Sequence, residues 1–372
     1  KLAGRLKEKL QEYDGVILVS SVPSVGDRHH RKNLDWVEVL EHGKPMIGIV
    51  HDCHWVRYSP RILKVRERFT SLVAVHPAAY SSLSNYPGRS VCIVNPFDIS
   101  PAKKRYEKRN DWLCLTSWFK RWKHVDDGVR AAPYLAPVHL FAVGGGIEYH
   151  YMTATLKSRG EYTGRYYDTY KAKIVGYQWK EGDSDFRGRW HGRNIFEVAQ
   201  ESGNFTYLGF KVGRTLDEVQ ARCLGIVDFS YHYKWGEHFN RVIVEGMIRH
   251  CVPFARPYGI SDNDEGKGLV FGPDSVVMIP VDASPKAVAE IIKSTLRDEN
   301  LCRSIVRKNF ENLLQFDRRV VARNMLKLLQ GRTDVGLLPI QFGRPDKKAM
   351  EALKEYGAIH RYPRTQRFPR LK

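Results

Sequence analysis

Short, wholly apolar runs that end abruptly in small or polar residues recur along the chain, and they decide most of what it can fold into. Val16-Ile17-Leu18-Val19 runs into Ser20-Ser21-Val22-Pro23, and Pro45–Val50 into His51-Asp52-Cys53-His54. Leu72–Val75 runs into His76-Pro77, and Ser90–Val94 into Asn95-Pro96. A strand with one wet face alternates apolar and polar residues. Runs apolar on both faces need cover on both sides, as in a parallel sheet flanked by helices. Helical patterns accompany them, one at residues 2–12 before the first run and one near 33–42 between the first and second. After a charged linker at 101–111 a second series begins, with strands at Trp112–Leu115, Val138–Val143, Phe205–Leu208, Gly225–Phe229 and Val252–Ala255. Its helices are expected at 124–134, 215–223, 239–250, 286–298 and 300–330. The predicted fold class is α/β, with two Rossmann-like, doubly wound parallel-sheet domains facing across a cleft. Residues 1–108 form the first domain and 109–335 the second, with a Gly-, Tyr- and Arg-rich insertion at 155–193 and a basic tail at 336–372. Ligands of such sheets bind beyond the carboxyl ends of the strands, which marks 51–54, 76 and 95.

Composition narrows the function classes. The 372 residues suffice for two domains, and 42% hydrophobic with 12% aromatic content describes a packed chain, not a disordered one. Met46–Val50 and Val138–Val143, the longest apolar runs, are far too short to span a bilayer, so no membrane partner is expected. The opening Lys1-Leu2-Ala3-Gly4-Arg5-Leu6-Lys7 lacks the apolar core of a secretory signal. The six cysteines lie far apart without a Cys-x-x-Cys pair, which argues against a disulfide framework or structural zinc and fits a reducing cytoplasm. A net charge of +19 is large for an enzyme of small molecules. It points to a polyanion, nucleic acid first and an anionic membrane surface second, against a plain basic bias of composition.

The residues that carry chemistry lie in Trp235-Gly236-Glu237-His238-Phe239-Asn240-Arg241-Val242-Ile243-Val244-Glu245-Gly246, followed by Pro253. A helix starting near Phe239 puts Glu237 at its mouth and Glu245 about two turns inside. Free backbone N–H groups and the positive dipole end at that mouth suit a diphosphate. A carboxylate at the mouth can accept hydrogen bonds from sugar hydroxyls, and one further along can take a ribose diol through both oxygens. Gly144-Gly145-Gly146 follows a strand and would let a base or phosphate approach the backbone closely, though a tight strand–helix turn explains it nearly as well. Asp183-Ser184-Asp185 has the spacing of a metal-binding Asp-x-Asp but no strand before it, so it reads as a solvated turn; no essential metal or other cofactor is predicted.

Glu237, Phe239, Glu245 and Pro253-Phe254-Ala255 resemble the Glu-x7-Glu signature of retaining GT-B glycosyltransferases. That resemblance implies a UDP-sugar donor bound by Glu245, Gly145, His238 and Phe239, with Glu237 at the reaction centre. It also implies a basic pair after the first strand of the second domain, which neutralises the departing diphosphate. In Ser117-Trp118-Phe119-Lys120-Arg121-Trp122-Lys123, Lys123 is the best match for one member, and Arg121 or Lys120 stands in for the other. Asp14–Pro23, Lys44-Pro45, Ile49-Val50-His51-Asp52, Val94-Asn95-Pro96 and Trp122-Lys123 are similar, in order, to the T-even phage DNA α-glucosyltransferase family. That family moves glucose from UDP-glucose to hydroxymethylcytosine in duplex DNA. Its fold normally opens with a strand and a Gly-rich turn, whereas this chain starts at the helix that follows them.

The second resemblance implies that His51 and Asp52 face the reaction centre. Asp52 is either a base for the acceptor hydroxyl or a carboxylate shielding an oxocarbenium-like carbon, and His51 hydrogen-bonds the donor sugar. It further implies a monomer, in the host cytoplasm if phage-encoded, acting on double-stranded DNA with hydroxymethylated pyrimidines. The candidates to hold that DNA are Lys103 and Lys104, Arg187 and Arg189 in the insertion, and Arg364 in the tail; each could equally be a solvated charge. Two rivals stand beside this reading. One is a retaining transferase for surface polysaccharide or a lipid-linked glycan. The other is a non-catalytic nucleic-acid-binding protein on a transferase fold, against which the intact Glu237 and Glu245 argue.

Overall fold

The structure is a computed structural model. It describes residues 2–18, 43–51, 69–75, 80, 83, 88–102, 109–118, 123–145, 189–190, 193–230, 241–256, 275–280, 283–332 and 334–335.

The first series folds as expected into one parallel sheet. After helix α1 (Leu2–Leu10) come β1 (Val16–Leu18), β2 (Met46–Val50), β3 (Ser71–Ala74) and β4 (Arg89–Cys92), paired in the order β1-β2-β3-β4. Every pair is parallel, with Ile47 set between Ile17 and Ser71. All four residues of β3 are buried, as an apolar run covered on both faces should be. The expected helix at 33–42 lies outside the described residues.

The second series gives a six-stranded sheet. Its strands are β5 (Asn110–Trp118), β6 (His139–Gly145), β9 (Phe205–Tyr207), β10 (Cys223–Asp228), β11 (Val252–Ala255) and β12 (Val277–Met278). Their order is β12-β11-β10-β5-β6-β9, all parallel. Within the insertion, β7 (Arg189–Trp190) and β8 (Arg193–Asn194) pair as a small antiparallel ribbon. The helices are α2 (Val125–Ala131), α3 (Ile195–Glu201), α4 (Arg214–Arg222), α5 (Arg241–Ile248), α6 (Pro285–Arg297), α7 (Glu299–Leu313) and α8 (Arg318–Leu329). Neither α3 nor β12 was expected.

Alternation along the strands assigns the two faces of this sheet. Leu113, Leu115, Leu140 and Phe254 meet Val125 and Val129 of α2, Val288 and Ile292 of α6, and Ile305 of α7. Cys114, Val143 and Cys223 meet Leu216 and Val219 of α4. Ile226 and Ala255 meet Ile243, Val244 and Met247 of α5. The five described cysteines are buried and free, and burial lifts the Cys92 and Cys251 thiols to about 12.

The helix expected over 300–330 is two helices. After α7 the chain makes a 3-10 turn (Leu314–Phe316), and at Asp317 it leaves helical geometry, with φ −56° and ψ 121°. Asp317 then caps α8, its carboxylate accepting the Arg319 N–H at 2.8 Å. The extended residue is used in an isolated bridge to Phe97. Beyond it α8, grouped by its sequence position with the second series, lays Val321, Met325 and Leu328 against Ile47, Val73 and Ile93 of the first sheet and the segment after it.

Helix α5 can lie so close to β10 because residue 246 has no side chain. A Cβ there would collide with the Ile226 side chain. Gly246→Ala is expected to lower stability by about 1–3 kcal/mol through overpacking, read as a lower urea midpoint at unchanged m. A change below about 0.5 kcal/mol would mean that α5 lifts away freely.

Candidate functional site

The order of the second sheet fixes where a ligand can sit. From β5 the chain builds outward through β6 to β9, then returns to the other side of β5 and builds outward through β10, β11 and β12. The helices that follow β5 and β10 pack on opposite faces of the sheet, and such a switch of faces sets a crevice at the carboxyl ends of the two neighbours. The described residues that flank it are Ser117 and Trp118 at the end of β5, Lys123 and His124 before α2, Asp228 to Ser230 after β10, Arg241 at the start of α5, and Gly144 and Gly145 at the end of β6.

The first two glycines of the run are the last residues of β6. Gly144 has φ 144°, outside the range of ordinary side-chain-bearing residues. Its N–H donates to the Gly209 carbonyl at 3.1 Å, and the Tyr207 hydroxyl donates to its carbonyl at 2.6 Å. Gly145 pairs with Trp118 at the last rung of the ladder, so both backbones end at the crevice.

After β5, Lys123 is partly buried and His124 takes a left-handed backbone, φ 44° and ψ 39°, as N-cap of α2. The turn is held by charge. Asp127, one turn into α2, lies 3.6 Å from His124 Nδ1 and accepts from Arg256 Nη2 at 2.6 Å. Arg256 follows β11; its side chain is only 4% exposed, and its N–H donates to the Asp228 carbonyl at 3.3 Å. Its guanidinium carbon stands 5.7 Å from the centre of the Phe229 ring. That ring in turn reaches within 2.7 Å of where a Cβ on Gly128 would lie. One buried arginine therefore ties the first turn of α2 to the ends of β10 and β11. Burial alone would raise the Asp127 carboxyl, but the hydrogen bonds and charges of His124 and Arg256 outweigh it and hold the carboxyl below its usual range. His124, Asp126 and Asp127 bring ligand atoms within 4.8 Å of one another, yet Arg256 already neutralises Asp127, so the group reads as an ion pair and not as a cation cage.

After β10, the Asp228 carboxylate accepts from the Ser230 N–H at 3.1 Å and hydroxyl at 2.5 Å, closing the strand end. Helix α5 buries Ile243, Val244, Met247 and Ile248. Glu245 lies at the edge of that buried stripe, its side chain 26% exposed. Burial raises its carboxyl above the usual range; Arg241 and Arg249 oppose the rise and Asp217 adds to it. Arg241 Nε stands 3.8 Å from Glu245 Oε1. Arg249 donates to the Glu245 backbone carbonyl at 2.8 Å and pairs with Asp217.

Of the residues singled out from sequence, Lys123 follows β5, Glu245 lies in α5 after β10, and Gly145 is the last residue of β6. His51 is exposed immediately after β2, and Arg189 lies in β7. Asp52, Glu237, His238, Phe239, Arg121, Arg187, Lys103, Lys104 and Arg364 lie outside the described residues. Sequence reading missed Asp127 and Arg256. A signal existed: each stands within four residues of a strand-end segment already marked, but the pairing of an acid with a base 129 positions on exists only in the fold.

Two outcomes test this geometry. The folded-state pKa of Glu245 lies above its ordinary 4.5, so its charged form weakens the fold above that pKa, and the penalty fades as pH falls toward 4.5. Glu245→Gln is therefore expected to melt roughly 2 °C higher than the unaltered protein at pH 7.5, with the two curves converging near pH 4.5; a lower melting point at pH 7.5 would refute the assignment. Arg256→Met, which strands Asp127 without its main cation, is expected to cost about 2–4 kcal/mol at pH 7 in urea denaturation. A loss no larger than that of an exposed pair would show that the tie is not structural.

No family model and no curated protein matches this sequence. Solved structures do match. HepE of Anabaena, in complex with UDP, aligns over 89% of this chain and 82% of its own, with TM-score 0.57 and 15% identity. A glycosyltransferase of Rickettsia africae aligns over 88% of this chain and 80% of its own, with TM-score 0.55 and 14% identity. A variant of S. aureus TarM, in complex with Fondaparinux, α-GlcNAc-glycerol and UDP, aligns over 88% of this chain but 58% of its own, with TM-score 0.54 and 14% identity. What the chain shares with these proteins at such low identity is the fold, the two-Rossmann-domain architecture of GT-B glycosyltransferases.

Proposed function

We propose that the protein is a retaining glycosyltransferase that moves a sugar, glucose first among them, from a UDP-sugar to hydroxymethylated pyrimidines in duplex DNA. The observation that carries the donor half is the placement of Lys123 and Glu245 on the segments leaving adjacent strands β5 and β10 at the switch point of the sheet. HepE, similar in fold over most of both chains, is known in complex with UDP-glucose, which supports the same donor here.

In this reading the diphosphate lies between Lys123 and the mouth of α5, and the two oxygens of Glu245 take the ribose diol. Glu237 receives hydroxyls of the donor sugar, with His238 and Phe239 beside it, and Gly145 gives the nucleotide close access to backbone. As the bond from the anomeric carbon to the diphosphate oxygen breaks, negative charge grows on the leaving group; Lys123 and Arg121 neutralise it without a metal. The acceptor hydroxyl attacks from the face the diphosphate leaves. Its oxygen bonds to the anomeric carbon, and its proton passes to the departing phosphate or to Asp52; in the former case Asp52 shields the anomeric carbon instead. His51 hydrogen-bonds the donor sugar.

The DNA half is supported by the net charge of +19 and by the T-even-like segments around residues 14–23 and 49–52. A hydroxymethyl group inside a duplex reaches a cleft only if its base is flipped out. Arg187, Arg189, Lys103, Lys104 and Arg364 would then hold phosphates. The protein is read as a cytoplasmic monomer; no described helix is long and apolar enough to cross a membrane. A glycan acceptor is the second reading, favoured by neighbours known with glucose or α-GlcNAc-glycerol in place of nucleic acid.

The test is transfer of label from UDP-sugars to hydroxymethylated duplex DNA, comparing the unaltered protein with Glu237→Ala. Label in the DNA that is lost at least a hundredfold in the variant is expected, since a group acting at the reacting centre is worth about that much. No transfer to DNA, with UDP still binding, would overturn the acceptor and turn attention to glycans. No UDP binding at all would overturn the donor.

A further inference from the structure

The chain passes from the first sheet to the second through residues 93–109 and returns through 314–317, and these two segments are bound to each other. The Phe97 N–H donates to the Phe316 carbonyl at 2.7 Å, and the Arg318 N–H donates to the Phe97 carbonyl at 2.9 Å. The Phe97 and Phe316 rings meet edge to face, centroids 6.0 Å apart, and Arg318 pairs with Asp98 at 3.3 Å. Phe97 is buried, wedged among Ile243, Met247 and Leu313 of the second unit. Its ring is thus a fixed point on the strap that joins the two units.

That ring carries the guanidinium of Arg241, whose carbon stands 5.1 Å from the ring centroid. The same guanidinium reaches Glu245 at 3.8 Å. An arginine side chain 67% exposed has many rotamers open to it, and an exposed pair at this distance does little to choose among them. The aromatic face supplies the seat that the ion pair alone cannot. We infer that Arg241 is a positioning residue for the donor: seated on the Phe97 ring of the strap, it holds the Glu245 carboxylate in place, so the arrangement of the two units is felt at the nucleotide's ribose. This rests on Glu245 binding that ribose, as proposed above.

The surroundings of Glu245 leave this task to Arg241. Among the described residues, the charged groups that act on it are Arg241 from its own helix, Arg249 just past the end of that helix, and Asp217 from α4. Arg249 is engaged by the Glu245 backbone carbonyl and by Asp217, so its charge is shared with an acid. The described partners of Arg241 are Glu245 and the Phe97 ring. A change in the strap that withdraws the ring releases Arg241 and deprives a partly buried carboxylate of a seated cation.

The experiment uses the full chain and reads two things. One is the titration of the Glu245 carboxyl in ligand-free protein, by carbon NMR with the signal assigned through Glu245→Gln. The other is the UDP dissociation constant against pH. Arg241→Gln is expected to move the Glu245 midpoint upward by about half a unit, and so to weaken UDP binding roughly threefold on the acid side of it. Arg241→Lys should restore much of the midpoint. Phe97→Leu, which keeps the apolar wedge and removes the aromatic face, should move it in the same direction as Arg241→Gln. A midpoint unmoved in Arg241→Gln and Phe97→Leu overturns the inference, even if both variants melt lower. Unaltered protein that binds no UDP at any pH overturns the donor reading instead, and the ligand-free titration tells the two failures apart.

Discussion

The parallel pairing of β5 with β10 is the contact on which the rest of the molecule depends. These strands are neighbours in space but more than a hundred residues apart in the chain, with Leu113 opposite Gly225 and Leu115 opposite Val227. The pairing is possible because both strands are apolar on both faces and because Gly225 yields room to its neighbours; a Cβ there would come within 2.6 Å of a Leu113 methyl. Once it forms, the helices after β5 and β10 must lie on different faces. Leu113 and Leu115 then face α2 and α6, while Ile226 faces α5. The crevice between the strand ends is a consequence of that topology and needs no residue of its own to create it.

What the residues add is rigidity at the crevice and connection across it. Arg256 is buried at the end of β11, and its ion pair with Asp127 pins the turn that carries Lys123. His124 holds a left-handed backbone in that turn, a conformation that persists only where the surroundings enforce it. On the other side of β10, the strap of Phe97 against Phe316 and Asp317 fixes where the first sheet meets the second. Helix α8 then returns to the first sheet and buries Val321, Met325 and Leu328 there. The two units are therefore laced by one outgoing and one returning segment, with the laces crossing next to α5.

Much of this was legible in the sequence, because burial on both faces leaves a mark that no neighbour can erase. Val252–Ala255 was placed to the residue, and most other strands to within two or three residues at each end. Glu245 and Lys123 were singled out through spacing and context, and each follows one of the two neighbouring strands β10 and β5. The break at Asp317 was not, because the apolar period runs straight through it from Leu313 to Leu328; what interrupts the helix is a backbone bridge to Phe97, a partner the local sequence cannot name. β12 escaped because two residues at a sheet edge leave no periodic signal. The pairs Asp127–Arg256 and Phe97–Arg241 escaped for the same reason as each other: a charge reads as solvated until the fold shows what stands over it.

The protein's own surface pairs give a standard against which Glu245 can be judged. Arg214 with Glu218 and Glu299 with Arg303 are four residues apart on exposed helix faces, at 3.0 and 2.5 Å. Arg241 and Glu245 have the same spacing but stand 3.8 Å apart, and their glutamate is the most buried of the three, 26% exposed against 40% and 55%. A pair kept for helix stability would show the reverse, tight contact and cheap solvation. Here the carboxylate bears the cost of burial without closing fully on its cation, so its oxygens keep acceptor capacity for a third party. A partly desolvated carboxylate accepts hydrogen bonds more strongly than it would in water. Such a placement supports the proposed reading, in which a ligand with paired hydroxyls takes those oxygens, over a role in helix stability alone.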